Sequence, residues 1–103
     1  MHYKIELLSC AWEELDQIAD IYLNLAGAKS AQNITDKILD TIELLADNPF
    51  LGVVPKYSEI ADQGFRMLIC DKYLCFYKVG ADVIKVYHIA DGRNAYPNSF
   101  GKS

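Results

Sequence analysis

Between Val83 and Pro97 the chain carries an imidazole, a carboxylate, a guanidinium and a phenol: His88, Asp91, Arg93 and Tyr96. An imidazole moves protons near neutral pH. A guanidinium grips a phosphate or a carboxylate through two parallel hydrogen bonds. A phenol stacks on a flat ring or donates a proton. The other arginine is Arg66, and Lys56 and Lys78 can add positive charge nearby. Each group also has a plain structural use. Arg66 can form a salt bridge or cap loop carbonyls. Arg93 can pair with Asp91 or hold the turn that follows. His88 can be a satisfied, half-buried histidine, and Tyr96, just before Pro97, can pin the tail to the sheet.

The elements that position these groups follow from periodicity. Val83 to Ile89 reads as a strand, with Val83, Tyr87 and Ile89 on one alternation and Ile84 and Val86 on the other. Both faces therefore need cover: one from helices, the other from a partner or from the C-terminal tail. Upstream, Phe65–Cys70 and Tyr73–Val79 are strands joined by a two-residue turn at Asp71-Lys72. That register sets Cys70 opposite Tyr73 and Leu68 opposite Cys75. Tyr3, Ile5 and Leu7 alternate with polar residues and form a first strand.

Two helices lie between. Ser9 is read as the N-cap of the first, whose apolar face is Ala11, Leu15, Ile18, Tyr22 and Leu25. Gly27 reverses the chain. Ala31, Ile34, Ile38, Ile42 and Leu45 line the second helix, which Asn48-Pro49 ends. The two helices form an antiparallel hairpin. Residues 50–64 have no clear period and read as an irregular connection. Trp12 is either an exposed partner contact or part of the hairpin packing. The predicted order is β-α-α-β-β-β, an α+β fold with a helical hairpin packed on a small, mainly antiparallel sheet.

Bulk properties narrow the classes. The 103 residues are enough for one domain, 1–103, with its own core. No apolar run reaches the ~20 residues that span a bilayer. The N-terminal Met1–Glu6 lacks a basic region followed by an apolar run, so the expected location is cytoplasmic, with no membrane association. Cys10, Cys70 and Cys75 show no metal-ligand spacing and read as buried reduced thiols. Net charge is −4, which argues against a general nucleic-acid binder. The charge is uneven: residues 1–48 hold three basic and nine acidic side chains, residues 49–103 seven and five. The second half, with both arginines, is the one able to face a phosphate backbone.

In order and spacing the chain resembles the RelE/ParE superfamily of bacterial toxins, the toxin halves of type II toxin–antitoxin pairs, often described as plasmid stabilisation proteins. The resemblance rests on Ala11-x-x-x-Leu15-x-x-Ile18-x-x-x-Tyr22, Leu45-Ala46-x-x-Pro49-x-x-Gly52, Gly64-Phe65-Arg66, Tyr73-x-x-x-Tyr77-x-Val79 and Val86-x-His88-Ile89-x-Asp91-Gly92-Arg93-x-x-Tyr96. It implies a growth inhibitor neutralised by a cognate antitoxin whose C-terminal segment wraps the sheet and helices. It also implies that the free toxin can form a homodimer through the same surface.

The superfamily holds two activities. RelE-like members are ribosome-dependent mRNA endoribonucleases (mRNA interferases) that cut through the 2′-hydroxyl without metal. Such chemistry needs a base, an acid and cations around the phosphorane. Here the resemblance offers Arg66, Arg93, His88 and Tyr96 as catalytic groups, with Lys56, Lys78, Arg66 and Arg93 binding phosphate. ParE-like members are gyrase inhibitors. The acidic pI of about 5.0 and the long helices place this chain closer to that branch. The expectation is a ParE-like toxin, ahead of a nuclease and of a non-toxic partner-binding relative. No metal or organic cofactor is implied.

Overall fold

The computed structural model describes residues 2–93. A four-stranded sheet is built from β1 (Lys4–Leu7), β2 (Arg66–Cys70), β3 (Tyr73–Val79) and β4 (Val83–Asp91), in the order β1-β4-β3-β2. The last three strands form an antiparallel meander, and β1 pairs in parallel with β4. Cys70 stands opposite Tyr73 and Leu68 opposite Cys75, as the turn at Asp71-Lys72 requires. The two thiols are nevertheless diagonal neighbours, with sulfurs 3.2 Å apart, because residues offset by two across a pair still touch.

The hairpin of α1 (Ser9–Ala26) and α2 (Ala28–Glu43) packs on one sheet face. Gly27 joins the helices at φ 94°, a conformation that glycine takes without steric cost. Ala11, Leu15 and Ile18 of α1 meet Ile34, Ile38 and Ile42 of α2 over Tyr73, Cys75 and Tyr77 of β3 and Ile84 and Val86 of β4. Each isoleucine so buried contributes on the order of 2 kcal/mol. Among the described residues, no helix is long and apolar enough to cross a membrane.

Several local expectations are corrected. Ser9 is not the N-cap of α1. Leu8 occupies that position, and no side chain caps the helix. The reason is continuity with the sheet: the Leu8 N–H still bonds to Val86 O at 3.0 Å, so the helix starts directly from the strand. Leu25 is 81% exposed, because it lies at the hairpin tip beyond the last buried residue of α1, Ile18. The second helix finishes in a 3-10 turn, Leu44–Ala46, where Asn48 Nδ2 donates to Leu44 O.

The 50–64 connection is more ordered than its sequence suggests. Val53 pairs with Met67 on the free edge of β2, and a one-turn helix α3 (Ser58–Ala61) follows. That helix carries Ile60 onto the second sheet face, where it packs with Phe65 and Phe76 against Met67, Leu74, Tyr87 and Ala90. Part of the face expected to await a partner is thus covered by the chain itself.

Strand β4 breaks its own alternation. Tyr77 pairs with Val86 and Phe76 with His88, leaving Tyr87 without an opposite residue. This β-bulge returns Ile89 to the helix-side core, although simple alternation puts it with Tyr87.

Candidate functional site

The cationic and titratable groups gather at three places. The first is the start of β2. Arg66 lies opposite Tyr77, and its Nη2 donates to Gly52 O at 2.6 Å and Phe50 O at 3.3 Å. The guanidinium also sits 5.1 Å from the centre of the Phe50 ring. Its buried Nε meets no acceptor among the described residues. The loop it holds is fixed from the other side by Tyr77, whose hydroxyl donates to Pro49 O and accepts from Gly52 N. A Cβ at position 52 would come within 2.7 Å of both Met67 O and the Tyr77 hydroxyl. Arg66 therefore caps loop carbonyls, one of its two plain uses.

The second place is the opposite end of the sheet. Arg93 donates through Nε and Nη2 to the two Asp91 oxygens at 3.0 and 2.6 Å, and its backbone N–H adds a third bond. This pairing holds the Asp91 carboxyl down at about 2. Tyr73, opposite Asp91, has its phenol pushed up by burial and then by its hydrogen-bonded neighbour Tyr22. Tyr73 and Tyr77 are four residues apart, so the backbones at Arg66 and Asp91 are separated by about 13 Å along the strands. The sheet does not bring the two arginines to one point. Each guanidinium already has acceptors within the chain.

The third place is the junction of α1 with the bulge. His88 Nδ1 lies 3.4 Å from Glu14 Oε2 and 3.5 Å from Cys10 Sγ. Glu14 Oε1 accepts the Ile89 N–H at 2.8 Å. The parallel register of β1 stops at Leu7–Val86, so this carboxylate takes the place of the missing strand on the edge of β4. The Cys10 thiol is pushed up by partial burial and by the Glu14 and Glu13 charges. Cys10 itself is exposed, which corrects its reading as a buried thiol.

Lys78 lies over the rings of Phe65 and Tyr87, 4.6 and 5.2 Å from their centres. Those rings meet edge to face at 5.1 Å. Its cross-strand neighbour is Lys85, so two like charges share that face. Lys56 is exposed and 5.7 Å from the centre of the Tyr57 ring. Tyr96 lies outside the described residues. Sequence reasoning missed Glu14 and Cys10. The available signal was their four-residue spacing, which puts both on one helix face. Nothing local marked His88, 78 residues after Cys10, as their neighbour.

Comparison with known proteins adds independent findings. A sequence model of the family described as "ParE toxin of type II toxin-antitoxin system, parDE" matches residues 5–96. The structure titled "Chromosomal ParDE TA system from P. aeruginosa" superposes with a TM-score of 0.75 at 20% identity, covering 87% of this chain and 96% of that one. The "YoeB/ParE toxin from Agrobacterium tumefaciens" superposes with a TM-score of 0.57 at 15% identity, covering 85% of this chain and 96% of that one. At these identities the two structures share the fold. A search of curated proteins gives no match.

Proposed function

The chain belongs to the ParE toxin family of type II toxin–antitoxin systems, and from that premise we propose that it arrests growth by binding DNA gyrase. It is the toxin of such a pair, and the family implies a cognate antitoxin. Gyrase as the target, and the cytoplasm as the place of action, are part of the proposal.

The observation that carries the binding mode is the placement of the two arginines. A phosphate clamp needs guanidinium groups that converge with free donors. Arg66 is spent on loop carbonyls at one end of the sheet and Arg93 on Asp91 at the other. The net charge of −4 agrees, since ribosomal RNA would favour a basic surface.

Gyrase supercoiling assays with the purified toxin test this directly, together with methionine uptake minutes after induction without antitoxin. Inhibited supercoiling, continued protein synthesis and full toxicity of the His88→Ala, Tyr96→Phe double variant are expected. Immediate collapse of synthesis would overturn it. So would loss of toxicity in Arg66→Ala with antitoxin binding intact.

One observation favours the second reading, a metal-independent mRNA endoribonuclease. His88 beside Glu14 is a pair suited to proton transfer. In that reading Arg66, Arg93, His88 and Tyr96 are catalytic, and Lys56 and Lys78 bind phosphate.

The antitoxin's C-terminal segment would lie over apolar side chains that the fold leaves exposed. Trp12, Ile21 and Leu25 of α1 and Phe50, Val54 and Ile69 near the β2 edge support this. The free toxin would pair with a second copy through the same residues. Co-expression that leaves the yield unchanged would count against it.

A further inference from the structure

We propose that Cys10, Glu14 and His88 form a binding site for a zinc-class divalent ion, at the junction of α1 and the β4 bulge. The three donors come from different chemistry and two distant parts of the chain. Their ligand atoms all lie within 4.8 Å of one another.

Two of the three separations match what one ion demands. With zinc–sulfur bonds of about 2.3 Å and zinc–nitrogen and zinc–oxygen bonds of about 2.0–2.2 Å, tetrahedral angles put S···N at about 3.5 Å and N···O at about 3.4 Å. The Cys10 Sγ···His88 Nδ1 and His88 Nδ1···Glu14 Oε2 distances are 3.5 and 3.4 Å. The same nitrogen lies beside both partners, and the three donor atoms stay within 4.8 Å of one another. Glu14 is oriented for the task, because its other oxygen is occupied by the Ile89 N–H. Outer hydrogen bonds of this kind hold a ligand in its binding geometry.

Two features of the fold make the site. Cys10 and Glu14 are one helical turn apart, and α1 leaves the sheet with no intervening loop. The extra residue Tyr87 gives β4 its local kink, and His88 follows it directly.

The donor set selects the ion. One thiolate, one imidazole and one carboxylate suit zinc, whereas magnesium and calcium prefer oxygen alone. On binding, the Cys10 thiol releases its proton to solvent and sulfur, nitrogen and oxygen bond to the ion. Water fills the fourth position, and nothing is oxidised or reduced. The site is separate from the question of the toxin's target, and its test does not depend on toxicity.

The test is a cobalt titration of the tag-free full chain, with its antitoxin if solubility requires it. Thiolate coordination gives a near-ultraviolet charge-transfer band. The expected result is a band that saturates at one equivalent, disappears on zinc addition, and is lost in Cys10→Ser and in His88→Gln. Zinc should also raise the melting temperature of the wild type and leave that of Cys10→Ser unchanged. The absence of a saturable band in the wild type overturns the proposal. A band that persists in Cys10→Ser does too, since the thiols of Cys70 and Cys75 would then be the ligands. Circular dichroism establishes that each variant is folded. If Cys10→Ser does not fold, His88→Gln and the wild-type melting shift carry the decision.

Discussion

The two arginines use the same chemistry in opposite ways. At the β2 end, Arg66 reaches inward and stitches the 50–52 loop to the sheet, with the buried Tyr77 hydroxyl and a close-fitting Gly52 behind it. At the β4 end, Arg93 lies on the surface and grips a carboxylate two residues away. One end is a long-range construction in which each part fixes another. The other is a local clasp that water already screens. A conspicuous guanidinium is thus first a structural donor, and its partners decide how much the fold depends on it.

Four substitutions test that contrast. Gly52→Ala should cost most, about 2 kcal/mol or more, because the new methyl meets a backbone oxygen that cannot retreat. Urea unfolding measures it. Tyr77→Phe should cost about 1–3 kcal/mol, since it leaves the Gly52 N–H and the Pro49 carbonyl without partners. Hydrogen exchange at Gly52 should accelerate with it. Arg66→Met keeps the apolar stem and removes both carbonyl bonds, for about 1–2 kcal/mol.

Arg93→Gln should be the mildest, a small loss at neutral pH because water screens the pair, and the difference from wild type should vanish in acid as Asp91 protonates. Asp91 titrates at about 2 in the fold and at the usual 3.8 when unfolded. The pairing therefore adds stability that is fully present above about pH 4 and is lost as the pH falls through about 2. Carbon-13 NMR titration of Asp91 in Arg93→Gln should show its carboxyl returning towards 3.8. If Arg93→Gln instead unfolds as readily as Arg66→Met, the contrast between the two ends is wrong.

Much of the architecture was legible. Isoleucines at helical spacing located α2, and a two-residue turn fixed the β2–β3 register, because both signals are local. What escaped was long-range or depended on an irregularity. The bulge at Tyr87 has no marker in the sequence, yet it moves Ile89 across the sheet. Leu25 satisfies the helical period but lies past the point where α1 has anything to cover. For the candidate groups, the residue types were visible and their separation was not. Arg66 and Arg93 look alike in a list of cations, and only strand direction and register set them at opposite ends.

The parallel pairing of β1 with β4 has a consequence for how the chain matures. Lys4 finds its sheet partner at Val83, and Leu7 at Val86. Until β4 has been synthesised, the first strand has no neighbour and Ile84 and Val86 are missing from the core. Contacts so distant in sequence must overcome loop-closure entropy before they stabilise anything, which makes their formation late. The nascent polypeptide thus cannot complete its sheet before Val86 has been made, and a toxin built this way becomes competent only once its fourth strand is present.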